Sequence, residues 1–275
     1  MAADNDSQKV CLTIAGLDPS GGAGIIADIK AFSAFGCFAA AAISSVTFQN
    51  TTGVFGTVHQ DAESIRGQAD AIFDDLDVAA VKTGMLPTRA VISETAAILK
   101  ERSVSKLVVD PVVRSTSGYD LIDDEALRIL IEKLFPLSLV VTPNIAEAER
   151  ISGVQIATRN DIERAAKIIL SMGASNVLMK GGHFLDVRAP EKQARDILFA
   201  SSGGSQEFAA DYIETDATHG TGCTLAAAIT ANLALGKDLS DAVSISKRFV
   251  TRGIATSKRL GRGHSPINIP QTAGD

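Results

Sequence analysis

The sequence predicts an α/β fold: one domain built on a mostly parallel sheet with helices on both faces. Three observations carry this expectation. Short, uninterrupted runs of Val, Ile and Leu alternate with longer helical patterns, as strands buried on both faces do. Four strand ends open into polar or glycine-rich turns, at Gly16–Gly24, Gly84-Met85, Asp110-Pro111 and Thr142-Pro143-Asn144. Across 275 residues, 45% of them hydrophobic, no repeat, low-complexity linker or composition break divides the chain. A chain of this size can bury a single large core.

Val10–Ala15 is the first apolar run. Ala23–Phe35 follows as a helix with an apolar face at Ile25, Ile26, Ile29 and Phe32. Ala40–Thr47 and Ala62–Asp74 form the next strand and helix. Ala79–Lys82 and Ala90–Glu101 repeat the pattern, as do Lys106–Asp110 and Asp123–Phe135, then Leu139–Thr142 and Arg159–Met172. Asn176–Lys180 is a further strand. Asp196–Phe199 and Phe208–Ile213 follow one another without a helix, which suits an antiparallel edge. Thr221–Leu235 carries Leu225, Ile229 and Leu233 at four-residue spacing and stops at Gly236, a residue type that ends helices. Ser240–Lys258 is the last helix. Residues 1–9 read as a disordered tail, 10–269 as the domain, and Pro270–Asp275 as a frayed end.

Charge and cysteine usage narrow the function. The balance of 32 acids against 26 Lys and Arg gives a net charge of −6 with no long basic block, which argues against a general nucleic-acid binder. The polar start Met1–Lys9 reads as neither signal nor transit peptide. No uncharged apolar span has membrane length, because Gly36, Ser44, Ser45 and Gln49 interrupt the neutral stretch after Lys30. Three scattered cysteines without a Cys-x-x-Cys pair suit a reducing cytoplasm, without disulfides or structural zinc. A cytoplasmic protein with neither membrane nor nucleic acid as partner is expected.

The most informative stretch is His219-Gly220-Thr221-Gly222-Cys223, which opens directly into a helix. Two glycines let the backbone approach a ligand, and free amides at a helix N-terminus suit phosphate or an oxyanion. Cys223 stands in the first turn, where the helix dipole can lower a thiol pKa. The same run equally describes a tight helix entry with a small buried cysteine.

The first turn imitates two nucleotide motifs and satisfies neither. Gly16-Leu17-Asp18-Pro19-Ser20-Gly21-Gly22-Ala23 has the Walker A glycine spacing, but Gly22 and Ala23 replace the required lysine and hydroxyl. Gly22-Ala23-Gly24-Ile25-Ile26-Ala27 fits the dinucleotide fingerprint, yet no Asp or Glu lies between Ile29 and Gln60 to hold a ribose. Asp28 is one turn into an apolar helix, either a solvated acid favoured by the dipole or a ligand group. Gln49-Asn50 ends an uncharged stretch. A primary amide there both donates and accepts, which suits a heterocycle presenting ring nitrogen beside an amino group; a plain turn before Gly53 is the alternative.

Further pieces complete a pattern: Thr13-Ile14-Ala15-Gly16, Ser20–Ile25, Ala27–Lys30, Gln49-Asn50-Thr51 with Gly53-Val54, and Lys82-Thr83-Gly84-Met85. The series continues with Asp110-Pro111-Val112, Ser117-Gly118, Thr142-Pro143-Asn144 with Glu147-Ala148, Lys180-Gly181-Gly182-His183, His219–Cys223 and Gly261–Pro266. In order and spacing these resemble the hydroxymethylpyrimidine and phosphomethylpyrimidine kinases of thiamin biosynthesis, within the ribokinase superfamily. The resemblance implies a ribokinase-like three-layer sandwich, an ATP- and Mg2+-dependent kinase, and a homodimer, with a monovalent cation as a further candidate. The substrate would be 4-amino-5-hydroxymethyl-2-methylpyrimidine, phosphorylated to the monophosphate and again to the diphosphate.

The family pattern places the pyrimidine near Gly16, Asp28, Gln49, Met85 and Val112. Asp110 and Glu147 would hold magnesium, with Asn144 beside the phosphates. Lys180 and Arg262 would meet the transferring phosphoryl group, and Gly220, Thr221, Gly222 and Cys223 would form the catalytic loop. Cys223 stands where sugar kinases of the superfamily usually carry an aspartate base, so it serves as base or as positioning group. Phe48 replaces a usual alanine, Val113 a common methionine and Arg262 a frequent lysine; the first two bear on substrate preference, while Arg262 keeps the charge. Arg262 lies between two glycines in a segment expected to be mobile and to close over the site. Cys11 and Cys37 are expected in or beside strands, His59 and His264 away from metals, His183 and His219 as loop braces, and Asp74, Asp75 and Asp77 as a solvated cluster. A pyridoxal kinase is the close alternative. A catalytically silent binding or regulatory protein is the alternative of another class.

Overall fold

The computed structural model describes residues 8–114, 118–181 and 192–273. Ser117, Gly182 and His183 of the motif pieces lie outside the described residues, as does most of the N-terminal tail. Val10–Leu17 (β1) runs parallel between Phe38–Asn50 (β2) and Val78–Thr83 (β4). Leu107–Val109 (β5), Val140–Val141 (β6) and Asn176–Gly181 (β7) continue the parallel series. Gly53–His59 (β3) pairs antiparallel with β2 at one edge. Gln193–Ala200 (β8) and Ser205–Asp211 (β9) form the antiparallel edge at the other. The result is one nine-stranded sheet in the order β3-β2-β1-β4-β5-β6-β7-β8-β9.

Helices cover both faces. Gly24–Ala34 (α1), Thr221–Ala234 (α7) and Leu239–Ala255 (α8) enclose one core, whose strand residues include Cys11, Ala80, Val108, Val140, Leu178 and Leu198. Ala62–Phe73 (α2), Arg89–Glu101 (α3), Asp124–Leu134 (α4), Ile145–Ser152 (α5) and Arg159–Ser171 (α6) enclose the other, against Leu12, Ile14, Val81, Leu107, Val109, Val141, Val177 and Met179. The side-chain period of two along a strand separates these sets. Two residues beyond the core residues of the first set, toward the carboxyl ends, stand Thr13, Lys82, Asp110, Thr142 and Lys180, and all are polar. Apolar packing thus gives way to chemistry at one end of one face.

Two elements were not expected. β3 carries Gly53 and Gly56 within a short run, and glycine weakens a strand signal. Helix α5 is eight residues long, too short to declare itself by periodicity; a capping box between Asn144 and Glu147 starts it. The expected frayed end is tied down as far as Ala273, whose amide donates to Ala34 O at 2.8 Å. Cys11 and Cys37 are buried as expected, and Asp74, Asp75 and Asp77 are exposed.

Candidate active site

Six of the eight α-helices among the described residues start on a side-chain cap: Asp61, Thr88, Asp123, Asn144, Thr158 and Asp238 each accept from a first-turn amide. Helices α1 and α7 have none, so no side chain of the protein covers the N-terminal ends of these two helices, where an anion is favoured. Their N-termini converge. Gly220 adopts φ +83°, and a Cβ there would lie 1.8 Å from Gly22 O. A Cβ on Gly24 (φ +54°) would lie 2.2 Å from Gly16 O. Only glycine allows these close approaches. His219 braces the junction, its Nε2 2.7 Å from Asp18 Oδ2. Against desolvation, contacts from His219 and Ser20 hold the Asp18 carboxyl below its usual value. The loop-brace expectation for His219 therefore has a named partner, which sequence reading had passed over.

A chain of charge runs below this junction. Asp28 is fully buried; its Oδ2 accepts from Thr13 Oγ1 at 2.7 Å and from Lys82 Nζ at 2.8 Å. Its Oδ1 has no partner among the described residues. The solvated alternative for Asp28 is thereby overturned, because burial and Lys82 replace water. Desolvation pushes its carboxyl up, against the opposing pull of Lys82. Lys82 was missed as a site residue because a fully buried lysine in a strand carries no spacing signal; its ammonium is held above the ordinary lysine range by Asp28 despite desolvation.

Asp110, at the end of β5, accepts from Lys180 Nζ at 2.8 Å and from Thr142 Oγ1 at 3.1 Å. Desolvation would raise its carboxyl, but Lys180 and Lys82 hold it below the usual range. Lys180 Nζ is also 3.9 Å from Glu147 Oε2. Glu147 closes the capping box with Asn144, accepting the Asn144 amide at 2.8 Å while its own amide donates to Asn144 Oδ1 at 2.9 Å. Burial lifts the Glu147 carboxyl to about 7, with Lys180 pulling down and Asp110 pushing up. A Cβ on Gly222 would lie 3.1 Å from Lys180 Nζ, so the lysine reaches the first turn of α7. Asp110, Asn144, Glu147, Lys180 and Gly220–Cys223 therefore meet in one place.

Behind Lys180, the Gly181 amide donates to Asp196 Oδ1 at 3.0 Å, and Asp196 Oδ2 accepts from Lys247 Nζ at 2.7 Å. This buried pair on β8 and α8 fixes the strand end that carries Lys180, and separate short sequence segments gave no hint of it.

Cys223 corrects an expectation. The helix dipole was expected to lower its pKa; instead desolvation pushes the thiol up to about 11, and Lys82 and the Gly24 amide offset this only in part against Asp110 and Asp28. Cys223 is thus a neutral thiol in the resting site.

The proposed ring-binding residues lie at neighbouring strand ends. A Cβ on Gly16 would lie 3.1 Å from Met85 Sδ, and Met85 O accepts from Ser44 Oγ at 2.6 Å. Gln49 Oε1 accepts from Thr47 Oγ1 at 3.2 Å, and Thr47 Oγ1 also contacts Leu17 O at 3.0 Å. The Val112 amide donates to Asp110 O at 2.8 Å. Arg262 stands apart in an open cleft of about 510 Å³ with Ser20, Asn50, Thr51, Thr52 and Gly261. Its segment, expected to be mobile, is hydrogen-bonded to Thr51. Among the described residues no cluster of three or more His, Cys, Asp or Glu could hold a metal, and no helix is long and apolar enough to cross a membrane.

Comparison with known proteins agrees with this geometry. The sequence pattern of the phosphomethylpyrimidine kinase family matches residues 18–268. A hydroxymethylpyrimidine/phosphomethylpyrimidine kinase of Bacillus subtilis is 42% identical over 94% of this chain and 93% of its own. The chain spans about half (53%) of a 42% identical relative, the thiamine biosynthesis bifunctional protein of Geobacter sulfurreducens, which is matched over 96% of this chain. The crystal structure of phosphomethylpyrimidine kinase from Clostridium difficile superposes with a TM-score of 0.78 at 42% identity, covering 90% of this chain and 100% of that one. The ADP complex of Bacillus subtilis pyridoxal kinase superposes with a TM-score of 0.84 at 35% identity, covering 94% and 98%. The expected ribokinase-like α/β fold is thus observed, and the chain belongs to the phosphomethylpyrimidine kinase family.

Proposed function

We propose that this protein transfers a phosphoryl group from ATP to the hydroxymethyl group of 4-amino-5-hydroxymethyl-2-methylpyrimidine, and then phosphorylates the monophosphate to the diphosphate. The observation that carries this is the placement of Lys180 between Asp110 and Glu147, at distances of 2.8 and 3.9 Å, against the uncapped N-terminus of α7. Phosphoryl transfer needs alignment and neutralisation of charge more than covalent help. The first turn of α7, which no side chain caps, and the Lys180 ammonium supply both.

Asp110 and Glu147 are hard oxygen donors, two carboxylates about one cation, which is the set from which Mg2+ is usually held together with substrate phosphates. When bound there, the ion supplies charge neutralisation for the phosphates. Asn144 starts α5 beside it. A monovalent cation remains part of the proposal only through the family resemblance. Cys223, a neutral thiol at rest, positions the substrate hydroxyl; a thiol that keeps its own proton accepts no other, and a loose transition state asks for little base assistance. Gly16, Asp28, Gln49, Met85 and Val112 bind the pyrimidine, and Arg262 meets phosphate. Two copies of the chain assemble as a homodimer in the cytoplasm.

Pyridoxal phosphorylation is the second reading, favoured by the TM-score of 0.84 with a pyridoxal kinase. Gln49 separates the two, because its amide matches an aminopyrimidine edge better than a phenolic one. ATP consumption measured side by side with the pyrimidine, its monophosphate and pyridoxal tests the assignment. Turnover of both pyrimidines above pyridoxal is expected; pyridoxal alone as substrate overturns it.

A further inference from the structure

Thr51 sits in the turn after β2 and grips a segment more than two hundred residues away. Its Oγ1 accepts from the Arg262 amide at 3.2 Å and the Gly263 amide at 3.3 Å, and its carbonyl accepts from the His264 amide at 2.8 Å. The contact is close enough to require glycine on both sides of Arg262. A Cβ on Gly261 would lie 2.2 Å from Thr51 Oγ1, and one on Gly263 would lie 2.0 Å from the Thr51 carbonyl oxygen. Asn50 stiffens the turn, its Oδ1 accepting from the Thr52 amide at 2.8 Å and the Thr52 hydroxyl at 2.7 Å. Gln49, two residues before Thr51, is paired with Val54 in the β2–β3 ladder. The Arg262 guanidinium makes no hydrogen bond or ion pair among the described residues, so only its backbone is held.

We infer that Thr51 is a positioning residue that couples the strand end carrying Gln49 to the loop carrying Arg262. The inference rests on the proposed roles of those two side chains, ring recognition and phosphate binding. A glycine-flanked arginine has wide backbone freedom, and fixing it otherwise costs conformational entropy each time phosphate is engaged. Thr51 removes that freedom in advance and references the cation to the strand that reads the ring. Among the described residues the hydroxyl is the only side-chain hydrogen-bonding group between this turn and the Arg262 segment, so its share of the anchor is removable by one conservative substitution.

The test is a double-mutant cycle between Thr51→Val and Arg262→Ala on the full chain, with Thr51→Ser as the conservative control. Thr51→Val keeps the shape and the carbonyl bond but leaves the Arg262 and Gly263 amides without their acceptor. Turnover should fall about tenfold, the loss of one to two net hydrogen bonds, with the KM for the pyrimidine changed less than twofold. Thr51→Ser should restore turnover. Amide hydrogen exchange at Arg262 and Gly263 should speed up in Thr51→Val and stay slow in Thr51→Ser, a readout independent of activity. In the Arg262→Ala background, Thr51→Val should add nothing. Fully multiplicative losses, or unchanged exchange at both amides, overturn the coupling while leaving Arg262 as a phosphate-binding residue. Wild-type turnover in Arg262→Ala instead removes the role on which the coupling rests and overturns both.

Discussion

Lys180 Nζ donates to Asp110 Oδ1 at 2.8 Å across strands β7 and β5. The lysine rises from one strand end and the aspartate from another, with β6 between them. Both belong to the face covered by α1, α7 and α8. A cation is therefore held among buried carboxylates at a helix N-terminus, where an anionic phosphoryl group can enter and share it. Removing Asp110 leaves Lys180 with Glu147 at 3.9 Å as its remaining carboxylate, and removing Lys180 leaves Asp110 with Lys82 as its remaining cation.

Glu147 gives a pH-dependent signature. Its carboxyl is raised to about 7, above the ordinary glutamate value of about 4.3. The folded protein therefore binds this proton more tightly than the unfolded chain. The resulting stabilisation is fully present below the unfolded value and is lost as pH rises through about 7. Glu147→Gln stays neutral and still accepts the Asn144 amide, so its Tm should gain on wild type as pH is raised from 5 to 8 without magnesium. A Tm difference constant over that range contradicts the raised carboxyl. In assays with ATP, the same variant should need more magnesium; superimposable magnesium titrations would remove Glu147 from the ion's environment.

Cys223→Ala should lower turnover by roughly 10²-fold, the order of loss when a reacting group is misplaced by about an ångström, while ATP affinity changes little because the loop amides survive. Because the resting thiol ionises only at about 11, alkylation by iodoacetamide should be slow at pH 7.5 and accelerate toward pH 10. Bound pyrimidine should slow it further. Fast alkylation at neutral pH would show a thiolate and reverse the account of how Cys223 works. Full turnover in a folded Cys223→Ala would make it a packing residue.

Gln49→Leu leaves a ring nitrogen or amino group unpaired, at a cost of roughly 1–3 kcal/mol. kcat/KM should fall accordingly for the pyrimidine and less for pyridoxal. Equal losses for the two substrates would end the role of Gln49 in choosing between them.

The edge hairpin of β2 and β3 exposes Phe55 at 69%, Phe48 at 54% and Val58 at 52%, within Ala31–Gln60, a stretch that carries no Asp, Glu, Lys or Arg. Apolar side chains grouped this way suit the proposed homodimer, since exposed apolar patches often serve as interfaces. Sedimentation velocity at micromolar concentration should show a dimer, and Phe55→Lys with Val58→Lys should shift it toward monomer. A wild-type monomer throughout the concentration range rules the assembly out.

Much of the architecture is legible along the chain. Apolar runs of the right length mark β1, β4 and β7, and the glycine after Leu235 marks the end of α7, because these signals are local. Short elements such as α5 and glycine-bearing β3 are not, since their stability comes from a cap and from a neighbouring strand. Among the site residues, Asp110, Glu147, Lys180 and Cys223 are visible through their motifs. Lys82 stands in a motif piece that assigns it no role, and Asp196 and Lys247 stand in none, because a buried charge in a strand or helix differs from a solvated one only in what surrounds it.

By itself the sequence determined the layered fold, the end of the sheet that carries polar turns, and the family pattern that names the chemistry. Only the tertiary structure decided charge and constraint: that Asp28 is buried against Lys82, that the Cys223 thiol is neutral, and that Arg262 is anchored through Thr51. The physical reason is common to all three. Protonation and backbone freedom depend on desolvation and on partners distant in sequence, such as Lys82, 54 positions from Asp28, and Arg262, 211 from Thr51, and no local pattern encodes either.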